Sequence, residues 1–145
     1  MAITIRPVAA GDKERWLDLF KQYIIFYKSN LSDEQFELNW QRLNSDFNIN
    51  GLVAEVDGQV VGFAHYIFRP STWDKNDFCY LEDLFVDPAI RSKGVGRALI
   101  NELEKIALAK GAKRLYWTTA PDNEVARKLY DKVAITDRVQ YKIIF

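Results

Sequence analysis

The sequence predicts a single α/β domain with a mixed, mostly antiparallel sheet flanked by about four helices, and three stretches carry that prediction. The first is a hairpin signal: residues 52–56, then Asp57-Gly58, then residues 59–68. Two apolar runs flank a dipeptide suited to the tight turn whose twist matches that of paired strands. The second is the order apolar run (78–86), glycine turn, amphipathic helix (95–110), apolar run (114–120). Strand, helix, strand in that order is a right-handed crossover, so the two strands are expected to be parallel neighbours. The third is a pair of amphipathic segments near the N-terminus, at 13–27 and from Ser32 onward.

Taken in order, Ile3 and Ile5 alternate with polar residues in a half-buried strand that Pro7 stops. Asp12 is a candidate N-cap for a helix over 13–27, with Trp16, Phe20, Tyr23, Ile24 and Tyr27 at helical spacing. Ser32 and Gln35 form a candidate capping box for a second helix carrying Phe36, Trp40 and Leu43. The hairpin follows, and residues 69–77 read as a polar loop into the third long strand. Val95, Leu99, Leu103, Ile106 and Ala107 make one helical face, and Gly111 stands at a C-cap position. After the strand at 114–120, Pro121-Asp122 starts a helix bearing Val125, Ala126, Leu129 and Tyr130, and residues 138–145 read as a terminal strand.

Length and composition bound the rest. A chain of 145 residues fits one domain, and 48% hydrophobic with 28% charged residues is an ordinary globular composition. Twenty basic residues balance twenty acidic ones, so no overall field directs the chain to nucleic acid or a membrane. There is no signal-peptide pattern and no apolar run of about eighteen residues, which makes the cytoplasm the expected location. Cys79 is the only cysteine and His65 the only histidine, so neither an internal disulfide nor a Cys/His metal site is expected.

The chemistry concentrates at Arg91-Ser92-Lys93-Gly94-Val95-Gly96-Arg97, between a strand and a helix. Glycines at alternate positions let backbone N–H groups converge on an anion, and the first turn of a helix adds unpaired donors and partial positive charge. With Arg91, Lys93 and Arg97 beside them, the stretch reads as a pyrophosphate cradle or, more plainly, as a turn before a basic helix. It lacks the Gly-Lys-Ser/Thr ending and the third glycine of the two commonest phosphate loops.

These pieces resemble the GCN5-related N-acetyltransferase superfamily over nearly the whole chain. The family's Arg/Gln-x-x-Gly-x-Gly/Ala turn is matched by Arg91 to Gly96, and its second block by Asn123, Ala126, Leu129 and Tyr130. Residues 80–86 resemble the diamine and polyamine acetyltransferases. Thr72-Trp73-Asp74, the first helix and Tyr116-Trp117 resemble the fungal histone and polyamine branch. One departure is Val133-Ala134-Ile135, where family members commonly place a glycine after the last helix. The chain also stops soon after its expected last strand, so substrate contacts from a longer C-terminus are not expected. The resemblance implies a sheet of six to seven strands with splayed parallel central strands, and acetyl-CoA as cosubstrate with no metal. It implies a cofactor site made by Leu84, Phe85, Val86, Arg91, Ser92, Lys93, Gly94, Val95, Gly96, Arg97 and Asn123, and a homodimer.

A primary amine is almost wholly protonated at neutral pH and must lose a proton before it attacks a thioester. Glu82 is the base that the resemblance favours and Asp83 the second candidate; in a regular strand the two side chains face opposite ways. Tyr130, two helical turns after Asn123, is the candidate acid for the departing thiolate. Cys79 is expected to be a buried structural thiol and His65 a strand residue. Asp74, Asp77, Glu82, Asp83 and Asp87 suit a cationic amine such as a polyamine, with Tyr27 and Trp73 as candidate cation–π walls. A peptide amine, or a CoA-binding domain without activity, are the rival readings.

Overall fold

Ile3 and Ile5 form the strand their alternation predicts, β1 (Ile3–Pro7), in a computed structural model that describes residues 1–145. Two helices follow, α1 (Lys13–Phe26) and α2 (Asp33–Leu43). The hairpin is β2 (Asn50–Val56) and β3 (Gln59–Ser71), with Asp57 and Gly58 both at positive φ, 51° and 77°. That pair of left-handed residues is the mirror-image turn whose twist suits a two-residue hairpin. Next come β4 (Asp74–Val86), α3 (Val95–Ala109), β5 (Leu115–Tyr116) and α4 (Glu124–Val133).

The sheet runs β1-β2-β3-β4-β5; the first three pairings are antiparallel, and β4 with β5 is parallel, as the crossover through α3 requires. Strand alternation gives the sheet two apolar faces. On one, Leu52, Ala54, Ala64, Cys79 and Leu81 pack against Val95, Leu99 and Leu103 of α3. On the other, Val53, Phe63 and Phe85 pack against Trp16 and Phe20 of α1 and Phe36 and Trp40 of α2. Glycine is needed at position 62 because a Cβ there would stand 3.0 Å from the Phe85 carbonyl oxygen.

Several local expectations change. The Asp12 side chain makes no cap bond to α1; it accepts instead from Arg6, at 2.8 and 3.0 Å, and from the Ala9 N–H. The ion pair outcompetes the cap because both oxygens engage the guanidinium fork. Ser32 caps α2 through the Gln35 N–H, but the Gln35 side chain turns to Asn39, so the capping box is half made.

Residues 69–77 are not a loop, for β3 and β4 continue as a long hairpin turning at Thr72-Trp73. Pro70 is tolerated because the register skips between Arg69 and Ser71, where no ladder donor is required. Gly111 takes the left-handed cap after α3, at φ 78°. α4 ends at Ala134 in extended backbone, as the missing glycine implied.

At the C-terminal end β5 keeps only two paired residues of the expected strand, and residues 138–145 form no strand. The sheet is therefore five-stranded rather than six- or seven-stranded. A strand pattern needs a partner ladder, and β5 is too short to offer one. Val139, Tyr141, Ile143 and Phe145 remain exposed.

Candidate active site

Two departures from regular sheet geometry create a site between β4 and β5. The first is the early end of their pairing: Cys79 pairs with Leu115 and Tyr80 with Tyr116, after which residues 81–86 of β4 have no partner on that edge. The second is a β-bulge. Across the β3–β4 ladder His65 pairs with Asp83 and Tyr66 with Leu81, so Glu82 is the extra residue. A regular strand would send Glu82 and Asp83 to opposite faces, and the bulge breaks that alternation. Leu81 packs towards α3, Asp83 meets His65 on the α1 side, and Glu82 projects into a narrow crevice.

Tyr23 of α1, Tyr27 just past its end, Leu81, Leu84, Trp117, Thr118 and Tyr130 form the remaining walls of that crevice. Glu82 is exposed at its rim, yet the surrounding protein withdraws enough water to raise its pKa above the usual carboxylate value. The Asp83 charge raises it further and His65 opposes the shift. Tyr130 faces the same space with its ring edge-on to Trp117, and burial pushes its phenol up to about 12. A carboxylate that holds a proton more readily than usual and a phenol that stays protonated thus share one crevice.

Behind them runs a buried chain of hydrogen bonds. Trp16 Nε1 donates to His65 Nε2 at 2.8 Å, which leaves the proton of a neutral imidazole on Nδ1, 2.9 Å from Asp83 Oδ2. Asp83 is thereby tied to the core next to Glu82. Burial and the Asp83 carboxylate also hold the neighbouring Tyr23 phenol well above its ordinary pKa. Replacing His65 with Leu leaves the Trp16 N–H without an acceptor and takes the imidazole N–H from the Asp83 carboxylate. The expected cost is about 2–5 kcal/mol, read as a drop in the urea midpoint at unchanged slope.

The glycine turn lies at the end of the unpaired edge. Ser92 and Gly94 both adopt positive φ, 66° and 88°, with the residue between them on the ordinary side. Such alternation curves successive N–H groups around one concavity. The first bond within α3 runs from the Ala98 N–H to the Gly94 carbonyl, so the N–H groups of Val95, Gly96 and Arg97 have no helical partner. A side chain at position 94 would meet no atom, so glycine serves there for its backbone angle alone. At Gly96 a Cβ would meet Leu129 at 3.4 Å, so that glycine brings α3 close to α4. Ser92, Lys93 and Arg97 are exposed and in no ion pair. Arg91 is held back: its Nε donates to the Val86 carbonyl, and its guanidinium lies over the Phe85 and Phe26 rings at 5.2 and 5.8 Å.

A family model described as the acetyltransferase (GNAT) family matches residues 15–134, which include the crevice, the splayed strands and the glycine turn. The chain belongs to the GNAT family. It is 34% identical over 97% of its length to the D-amino-acid N-acetyltransferase of Saccharomyces cerevisiae, covering 89% of that protein. It is 32% identical over 93% of its length to a thialysine N-epsilon-acetyltransferase of Bos taurus, covering 85%. Among solved structures, a ribosomal-protein-alanine N-acetyltransferase from Brucella melitensis superposes with a TM-score of 0.85 at 26% identity, over 99% of this chain and all of that one.

This GNAT enzyme is an N-acetyltransferase, and its structure sorts the residues that the sequence brought forward. Glu82, Leu84, Tyr27 and Tyr130 meet in the crevice, with Asp83 behind it. Phe85 belongs to the aromatic core against α1, and Val86 lies beside Gly96 and Gly62. Asn123 occupies the N-cap position of α4 without capping it; its amide donates to Thr119 Oγ1 at 3.0 Å and to the Tyr27 hydroxyl at 3.5 Å, bridging the crevice mouth. Trp73 is not a crevice wall, since it stands 77% exposed at the tip of the β3–β4 hairpin.

The acidic run does not converge either. Asp74 accepts from the Asn76 N–H, and Asp87 pairs with Arg15 and caps the turn at Ala89. Cys79 is fully buried with its thiol pushed up to about 11 by burial, the behaviour of a structural cysteine. Trp117 and Thr118 join the site without a sequence signal, as does the contact of Trp16 with His65, whereas Tyr23 opens the aromatic-rich stretch 23–31 that the sequence marks as a candidate pocket wall.

Proposed function

We propose that this GNAT enzyme transfers the acetyl group of acetyl-CoA directly to a primary amine of a small molecule, within one domain. The supporting observation is the convergence of Glu82 and Tyr130 on one crevice that opens into the gap between β4 and β5 and leads to the glycine turn. In this reading the N–H groups around residues 93–97, with Lys93 and Arg97, receive the pyrophosphate, and Ser92 shapes the concavity. Arg91 steadies the strand end through Val86. The unpaired edge of residues 84–86 takes the pantetheine arm, and the Leu84 N–H serves as oxyanion donor.

Acetyl-CoA supplies an activated acetyl thioester. Glu82, directly or through water, removes a proton from the ammonium group, and the free amine nitrogen forms a bond to the carbonyl carbon. As the carbon–sulfur bond breaks, Tyr130 gives its proton to the departing sulfur, the acylated nitrogen gives up its second excess proton to restore the phenol, and Glu82 releases the first to solvent. Asp83, held by His65, is the fixed negative charge beside Glu82 rather than the base.

A small acceptor is favoured over a peptide because the crevice is narrow and its mouth is bridged by Tyr27, Thr119 and Asn123. The relatives named for D-amino acids and thialysine agree with an amine acceptor; polyamines and side-chain amines of amino acids both fall in this class. We place the enzyme in the cytoplasm as a homodimer; no helix is long and apolar enough to cross a membrane, and the exposed residues Val139 to Phe145 are the surface a second copy would cover. Release of CoA thiol from acetyl-CoA, assayed with a broad panel of amines, tests the reading. Tight CoA binding with no thiol released by any amine would sink it.

A further inference from the structure

Glu82 and Asp83 are adjacent carboxylates on β4, and each is chemically able to take a proton from an ammonium group. Glu82 lines the crevice, and Asp83 stands behind it against the phenol of Tyr23, one of the crevice walls. Their partners differ. No protein group donates to Glu82, whereas Asp83 Oδ2 is engaged by His65 Nδ1 at 2.9 Å.

The histidine is itself constrained. His65 is 4% exposed, and its ring is boxed by Phe20 and Phe63 at centroid distances of 5.0 and 4.7 Å. A half-turn of the ring would put carbon atoms where the two nitrogens now make their bonds, so the orientation is fixed. The Trp16 indole can only donate, and it donates to Nε2. Nε2 therefore holds the lone pair and Nδ1 the proton, aimed at Asp83. In the other tautomer two N–H groups would collide at Trp16, and two lone pairs would oppose each other at Asp83. Asp83 and Glu82 of β4 and the Tyr23 phenol of α1 are the titratable groups that face this chain.

We propose that Trp16 and His65 are positioning residues that decide which of the two carboxylates serves the reaction. The indole N–H fixes the imidazole tautomer, and the imidazole N–H occupies Asp83 on the α1 side. Glu82 is left as the carboxylate free to receive the ammonium proton. This division of roles rests on Glu82 being the proton acceptor. Asp83, turned away and occupied, lends its charge to the site without meeting the amine.

His65 is the only histidine, so its tautomer is read directly from the imidazole nitrogen resonances of histidine-labelled protein. The wild type is expected to show the Nδ1–H form alone, and Trp16→Phe to admit the Nε2–H form. A wild type in the Nε2–H form, or a Trp16→Phe spectrum unchanged from the wild type, would overturn the proposal. Thiol release from acetyl-CoA with the best amine of the panel gives the second readout. His65→Leu should lower kcat/KM for the amine by about tenfold or more, the scale of one hydrogen bond to a charged group, with the KM for acetyl-CoA unchanged. His65→Asn, whose amide N–H takes the place of the imidazole N–H, should recover most of that loss. With Glu82→Gln already in place the sign reverses: adding His65→Leu frees Asp83 and should raise the residual rate. A loss in both backgrounds, or no recovery in His65→Asn, is the pattern of a merely structural contact and rules the positioning role out. If His65→Leu is too unstable to assay, Trp16→Phe replaces it in both backgrounds, with the same reversal required. Glu82→Gln alone separates the two claims. Full activity removes Glu82 as proton acceptor, whereas a large loss with no reversal removes only the role of Trp16 and His65.

Discussion

Glu82→Gln is expected to lower kcat by about 10²–10⁴-fold, the range of a positioned general base, with the KM for acetyl-CoA nearly unchanged because Glu82 lies outside the glycine turn. The pH profile carries the stronger signature. Burial and the Asp83 charge raise the Glu82 pKa, so a larger fraction is protonated at mildly acidic pH than for a free glutamate. A protonated carboxyl cannot accept the ammonium proton. Wild-type kcat/KM should therefore fall as pH decreases through the raised Glu82 value, and the residual activity of Glu82→Gln should lack that limb. A variant with the wild-type rate and limb would assign the base elsewhere.

Tyr130→Phe is expected to lower kcat by about 10²-fold or more while leaving the fold intact, since the ring that meets Trp117 edge-on is retained. The phenol, pushed up to about 12, remains protonated across the working range, so no alkaline loss of activity below about 11 should be traceable to it. The discriminating measurement is the leaving group. An acetyl thioester whose thiol has a lower pKa needs less protonation on departure, so it should narrow the gap between wild type and Tyr130→Phe. An unchanged gap would mean that Tyr130 only packs the crevice.

The elements that were legible in the sequence are those whose signal is local. Asp57-Gly58 sets its turn by backbone angle, the apolar face of α3 follows from spacing, and the crossover fixes β4 beside β5 in parallel. The backbone of the glycine turn was readable for the same reason, whereas the Asn123–Tyr130 block stood out through its resemblance to the family. The bulge was not, because one extra residue at Glu82 exists only relative to β3, and alternation within β4 alone gives the wrong relation between Glu82 and Asp83. Likewise the contact of Trp16 with His65 joins residues 49 positions apart through packing. Residues 138–145 were misjudged because a strand pattern states a preference, whereas a strand needs a neighbouring edge. The hairpin tip was misjudged because Pro70 sits at a register skip that no local rule announces.

The brevity of β5 also divides the molecule energetically. With two ladder positions joining it to β4, the segment from Leu115 through α4 is coupled to the rest mainly by side-chain packing, so its opening need not await global unfolding. A molecule lodged along the vacant edge of β4 takes the place of the missing ladder, and its binding free energy is added to the cohesion of that segment. Amide exchange in α4 is then expected to slow when the gap is occupied.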